Sequence, residues 1–242
     1  MQVDVLGSDV ALDAAPAHEV PAYLTRVYWW AYVHPKAVKL FERQWLVSLI
    51  LWGNYRRLRD AAIDLLGAML PGRTLQIACV YGDLTRRLSR RVPEHDADAS
   101  LEVVDILPVQ LDNLRRKLGP GHSVGVVHGN SANLPFESAR YDRALLFFLL
   151  HEMPEDVRRA TLAEALRVVK PGGRLVILDY ARPHSAHPLY WPMVAILRAF
   201  EPFALDLWRA PITDWFPPGT TARVVSRRTL FGGLYQLLDV HV

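Results

Sequence analysis

An α/β fold is what this 242-residue sequence predicts: a mostly parallel sheet with helices on both faces, behind a helical, aromatic-rich N-terminal lid. Three observations predict it. From Thr74 onward, short continuous apolar runs alternate with amphipathic stretches, the pattern of strands buried on both faces. Proline and glycine punctuate them at Pro71-Gly72 and Pro171-Gly172-Gly173. Polar residues (Asp105, Asn130, His151) stand where the runs end, and open α/β sheets bind ligands outside the carboxyl ends of their strands.

The elements follow in order. Residues 21–70 read as helices, broken at His34-Pro35 because proline disfavours the α conformation in the residue before it. Pro71-Gly72 ends them. Leu75 to Val80 is the first strand, followed by a basic amphipathic helix to about Arg91. Leu101 to Ile106 is the second strand. Pro108 opens a helix to Leu118, proline being favoured at the first helical position. Val124–His128 and Ala144–Leu149 are strands, Glu155 to Val169 a helix, and Arg174–Asp179 a strand. A helix follows from Trp191 to Phe203. The tail from Arg223 reads as two strands joined near Gly232-Gly233, which makes seven in all.

Composition narrows the function. The net charge is only +3, and the arginine clusters at Arg56-Arg57-Leu58-Arg59, Arg86-Arg87 and Arg115-Arg116-Lys117 read as solvated helix faces. No nucleic-acid motif accompanies them, so an anionic membrane surface is the better second reading. Cys79 is the single cysteine, which excludes an internal disulfide and suits a reducing cytosol. Residues 1–20 lack the basic start and apolar core of a signal peptide and read as a disordered leader. The densest apolar run, Trp45 to Trp52, is far shorter than a membrane span. The expected location is cytoplasmic, peripheral at the inner face of the membrane.

The turn after the first strand, Ala78-Cys79-Val80-Tyr81-Gly82, carries one glycine where a nucleotide-binding turn carries three, and Gln76 stands where an acid is usual. Asp105 can accept hydrogen bonds from both hydroxyls of a ribose, or cap the helix opened by Pro108. Asn130 can read an adenine edge, since an amide both donates and accepts. His151 has an equal structural reading, and Tyr81 can be simple packing. His151, Glu152 and Asp179 fall near strand ends and are candidate metal ligands, with His184 and His187 as runners-up.

Together these residues resemble the class I S-adenosylmethionine-dependent methyltransferases. The resemblance rests on Asp105, on Gly129 to Phe136, on Tyr141-Asp142, on Leu150-His151-Glu152-Met153-Pro154-Glu155 and on Leu166 to Leu175. It implies a Rossmann-like sheet of seven strands and a cofactor bound by Ala78, Val80, Tyr81, Gly82, Asp105, Ile106, Asn130, Ser131 and Phe147. Within that class, the turn and the segment Tyr28-Trp29-Trp30-Ala31-Tyr32-Val33-His34-Pro35 resemble the RquA family of rhodoquinone biosynthesis. That resemblance implies replacement of a ubiquinone methoxy group by an amino group, with S-adenosyl-L-methionine as amino donor and Mn(II) required. Asn130 stands where the family is expected to carry Asp. Val80 and Tyr81 are then expected to shift the methionine moiety so that its amine faces the quinone, with His151 as a third catalytic residue. Tyr28, Trp29, Trp30, Tyr32, Tyr180 and Trp191 are the expected quinone-binding residues, unless the aromatic front end is only packed on the core. Two other functions stay open: methylation of a quinone or small phenol, and a non-catalytic scaffold in a quinone-pathway complex.

Overall fold

The computed structural model describes residues 20–28, 38 and 40–242. Trp29, Trp30, Tyr32, the break at His34-Pro35 and the leader up to residue 19 lie outside the described residues.

The sheet comprises β1 (Arg73–Ile77), β2 (Ser100–Asp105), β3 (Gly125–His128), β4 (Tyr141–Phe147), β5 (Val169–Tyr180), β6 (Arg223–Leu230) and β7 (Tyr235–His241). Their order is β3-β2-β1-β4-β5-β7-β6. The first five run parallel, and β7 inserts antiparallel between β5 and β6. Chain order reverses between β1 and β4, so their carboxyl ends flank the switch-point crevice. Leu75, Ile77, Leu145, Leu146, Val176 and Ile177 are fully buried, as continuous apolar runs require of strands covered on both faces.

Several strand boundaries differ from expectation: β4 begins at Tyr141, three residues early, and β5 begins at Val169, taking in Lys170-Pro171-Gly172-Gly173. The first strand ends at Ile77, three residues early, because Ala78 takes φ 72° and breaks the pleat. The left-handed region costs a residue with a Cβ roughly 1–2 kcal/mol. Gln76 offsets that cost. Its Nε2 donates to the Ala78 carbonyl at 2.8 Å, and its Oε1 accepts from Thr85 Oγ1 at 2.8 Å, in full burial.

The helices are α1 (Ala22–Arg26), α2 (Gln44–Ile50), α3 (Tyr55–Leu66), α4 (Leu84–Ser89), α5 (Pro108–Leu118), α6 (Glu155–Val168) and α7 (Tyr190–Phe200). The sequence groups 21–70 as one lid, but α3 belongs to the main core. Tyr55, Leu58, Ala62, Ile63 and Leu66 recur at helical spacing and are buried in the same cluster as the strands. Arg59 on that face is 2% exposed and pairs with Asp83 at 2.6 Å, so part of the first arginine cluster is internal. Val20, read as leader, packs with Leu24, Tyr28 and Leu107 in a smaller cluster.

Candidate functional site

A cavity of about 760 Å³ opens at the carboxyl ends of β1, β2, β4 and β5. Ala78, Val80, Tyr81, Asp105, Ile106, Asn130, Ser131, Phe147, His151, Glu152 and Tyr180 all line it. Apart from these polar groups the wall is mostly aliphatic and aromatic, with α2 and α7 contributing apolar side chains.

Asp105 holds the floor. Its Oδ2 accepts the Cys79 amide at 2.7 Å and its Oδ1 the Leu107 amide at 2.8 Å, tying the end of β1 to the end of β2. Burial raises its pKa against those two bonds. The Cys79 thiol hydrogen-bonds the same carboxylate, so three of its roughly four acceptor sites are taken and one is left for a ligand hydroxyl. The side-chain carbonyl of Asn130 accepts the Ala132 amide at 2.9 Å, so its NH₂ is the group left to meet a ligand. Ser131 lines the cavity, but its hydroxyl bonds Thr161 at 3.0 Å.

The turn is held from behind by residues that sequence reasoning missed. Lys117 Nζ, on α5, donates to the carbonyls of Val80 at 2.8 Å and Gly82 at 3.0 Å. Glu42 pairs with Lys117 at 3.0 Å, accepts the Gly82 amide at 2.9 Å and accepts Asn113 Nδ2 at 2.6 Å. Lys117 sits in a cluster that reads as a solvated face, and no spacing in the sequence links position 42 to 117. Replacing Lys117 by Met removes a charge-assisted pair and leaves two carbonyls without it. The expected cost is about 2 kcal/mol in unfolding free energy, with weaker cofactor-analogue binding, read by denaturant melts and calorimetry.

Gly82 corrects the sequence reading. It does not line the cavity; at φ 84° it packs on Tyr55, whose hydroxyl a Cβ would overlap. Tyr81 does face the cavity. Its ring stacks on Phe41 at 5.9 Å and its hydroxyl accepts Gln110 Nε2 at 2.8 Å. Burial raises the phenol above its ordinary range, and the Cys79 thiol likewise, so neither is an anion at neutral pH.

His151 and Asp179 form the other polar pole. Asp179, fully buried, accepts the amides of Leu149 at 3.2 Å, Leu150 at 2.8 Å and Tyr180 at 2.7 Å. It also accepts His151 Nδ1 at 2.9 Å. Burial alone would lower the imidazole pKa, but the Asp179 carboxylate outweighs it and the value is pushed up to about 9. His151 is therefore a fixed imidazolium at neutral pH, edge-on to Tyr180 at 4.8 Å. Arg158 braces the same turn, donating to the carbonyls of Leu150 at 3.0 Å and Met153 at 2.8 Å.

The expected metal ligands do not fit a metal. Asp179 lies behind the cavity wall with both oxygens used by amides and imidazole, and His151 carries a proton on Nδ1. Among the described residues, no three His, Cys, Asp or Glu side chains are grouped to hold an ion. Two quinone candidates also move. Tyr28 is fully buried in the small N-terminal cluster, behind the wall, with Glu201 in hydrogen-bonding reach of its hydroxyl. Trp191 is 73% exposed and does not line the cavity. Tyr180 remains at the wall.

Comparison with known proteins places this arrangement. Residues 74–173 match the model of a family described as Methyltransferase domain. Solved structures share the architecture. An O-methyltransferase family protein from Burkholderia thailandensis superposes with TM-score 0.59 at 18% identity, covering 85% of this chain and 59% of that one. The N-methyltransferase NodS from Bradyrhizobium japonicum, in complex with S-adenosyl-L-homocysteine, gives 0.54 at 16%, covering 77% and 86%. This is the class I methyltransferase fold. In this methyltransferase-like domain, the site residues occupy the ends of the parallel strands.

Curated proteins give more specific likenesses. The ubiquinone/menaquinone biosynthesis C-methyltransferase UbiE of Idiomarina loihiensis is 34% identical over 143 residues, 57% of this chain and 55% of that protein. The demethylmenaquinone methyltransferase of Staphylococcus saprophyticus is 30% identical over 138 residues, 57% of each chain. The 2-phytyl-1,4-naphtoquinone methyltransferase of Nostoc punctiforme is 29% identical over 166 residues, 67% of this chain and 66% of that one. The match thus spans little more than half the length of the first two relatives.

Proposed function

We propose that this chain is an S-adenosylmethionine-dependent transferase acting on the ring of an isoprenoid quinone. The observation that carries the reading is the cavity itself. Asp105, Asn130 and the Asp179-held His151 line it together with apolar side chains of α2 and α7, a lining that suits an adenosine and an apolar tail. An isoprenoid quinone has that polarity, a polar ring on a long apolar tail. The relatives named as quinone methyltransferases support the same acceptor class.

Methyl transfer is the first reading. The bound cofactor supplies an electrophilic methyl group, and the protein supplies alignment and charge. Asp105 and Asn130 hold the adenosine half. The acceptor is then the reduced quinol form of the ring, whose ionised oxygen makes the ring carbon nucleophilic. The His151 imidazolium donates to that oxygen. The sulfonium would leave as a thioether as its methyl group passes to the carbon, and the ring proton is lost to water. A protonated His151 thereby supplies the positive charge expected of a metal, and no step runs through an ion.

The turn favours a second reading, exchange of a ring methoxy group for an amino group, as in rhodoquinone formation. Val80 and Tyr81 carry side chains where a glycine turn leaves room, and Glu42 already occupies the Gly82 amide. The methionine half must then lie differently. Here the same imidazolium stabilises the oxyanion formed as nitrogen adds to the ring. The ring–methoxy bond then breaks with loss of methanol, its proton coming from the added nitrogen. Cleavage of the bond between that nitrogen and its donor carbon by water would leave the amino group on the ring. Mass spectrometry of quinones incubated with the protein and nitrogen-labelled cofactor separates the two. Methylation raises product mass without label; amino-for-methoxy exchange lowers it and carries label. Absence of either product on every quinone tried overturns the proposal.

A further inference from the structure

The geometry points to a membrane-docking face, built from α2 and α7 around the cavity mouth and fitted to an anionic lipid bilayer. It rests on three observations independent of the polar site. First, α2 has the sequence Gln-Trp-Leu-Val-Ser-Leu-Ile and none of its residues is buried, so an almost wholly apolar helix lies at the surface. Trp45 is 59% exposed and Leu49 66%. Across the mouth, α7 turns Met193 and Leu197 inward but leaves Trp191 at 73% and Phe200 at 55%. Trp52 Nε1, just after α2, donates to Met193 Sδ on α7 at 3.1 Å and ties the two sides together. Exposed apolar surface of this kind marks an interaction site.

Second, the exposed charge carried by the patch segments themselves is basic, with the flanking acids Glu42 and Asp60 paired to Lys117 and Arg59. Between residues 43 and 59 the charged side chains are Arg43, Arg56, Arg57 and Arg59, with no acid. Arg59 is internal, but Arg43, Arg56 and Arg57 are exposed, and α7 adds exposed Arg198. A groove lined by Trp45, Leu49 and Arg56 sets an apolar wall beside a cation, the polarity of a lipid at the headgroup boundary. A protein partner would match such a rim with acidic side chains at fixed places; a lipid surface needs only the mixture of tryptophan, aliphatic and arginine. Third, Leu46, Ile50, Ile196 and Phe200 of the same two helices line the cavity, so the docking face and the cavity are continuous. No described helix is long and apolar enough to cross a membrane, so contact is by side chains lying in the interface. This deepens the quinone reading, since an apolar tail would pass from bilayer to cavity without entering water.

The test is co-sedimentation of the full chain with vesicles, with no quinone or cofactor present, so its outcome is separable from the transferase reading. Binding to phosphatidylcholine vesicles containing phosphatidylglycerol is expected, weakened by salt and much lower on phosphatidylcholine alone. Trp45→Glu with Trp191→Glu is expected to lower the partition at least about tenfold. Arg56→Gln and Arg57→Gln are expected to lower it about fivefold each, on anionic vesicles only. Unchanged affinity for S-adenosylhomocysteine, or for lack of it an unchanged thermal midpoint, verifies that the variants fold. Wild-type protein that stays in the supernatant, or variants that bind as wild type, would overturn the proposal. So would a stable dimer that the tryptophan variants dissociate, because a second copy would then cover the patch.

Discussion

Replacing Asp105 by Asn is expected to weaken S-adenosylhomocysteine binding about 100-fold while the protein remains folded. The carboxylate already accepts two backbone amides at 2.7 and 2.8 Å. The Cys79 thiol takes a third site, so one ligand hydroxyl would complete its acceptor capacity, and a hydrogen bond to a charged group is worth roughly 1.5–3 kcal/mol. Losing the charge and half the acceptor sites removes about 3 kcal/mol, which is about two decades in affinity. Asn still accepts one amide, so the tie between β1 and β2 loosens without breaking. Calorimetric titration of both proteins decides it. Equal affinities would mean that the adenosine half lies elsewhere, and the site reading would fail at its floor.

Replacing His151 by Asn is expected to lower turnover about 10²- to 10³-fold with little change in cofactor affinity, since it removes a preorganised donor aimed at developing charge. The same variant should flatten a pH dependence of stability. His151 has its pKa raised from 6.5 to about 9, so its contribution is complete below pH 6.5 and disappears as pH rises through about 9. Wild-type protein should therefore lose unfolding free energy, up to a few kcal/mol, across that interval, and the Asn variant should lose much less. Asp179→Asn should remove the opposing charge, letting burial pull the imidazole below its ordinary value. Denaturant midpoints on either side of the interval, with turnover alongside, are the measurement. A His151→Asn protein with wild-type turnover would make the histidine a purely structural brace of the Leu150–Glu152 turn.

Why these residues were legible, and others not, follows from range. Asp105 ends β2, Asn130 and His151 follow within a few residues of the ends of β3 and β4, and strand ends can be counted from apolar runs. Their convergence on one crevice follows from parallel topology alone. The metal reading failed for a related reason. Proximity of His151, Glu152 and Asp179 was correctly inferred, but which atoms their lone pairs already served was not. Asp179 is a backbone cap before it is anything else. Gly82 was misjudged because its conformational need comes from Tyr55, far away in sequence.

By itself the sequence determined the sheet, its helices and the polar strand ends, since each depends on periodicity and punctuation within a few residues. Only the tertiary structure decided the rest. It put α3 into the core, buried Arg59 and turned half-buried Lys117 onto Glu42, both out of clusters that read as solvent-facing, and set Glu42 against the Gly82 amide. It also turned α2 and the outer side of α7 to the surface at the cavity mouth. Those are contacts between segments tens of residues apart. A single chain encodes them only through the packing that brings the segments together, and local pattern carries no trace of it.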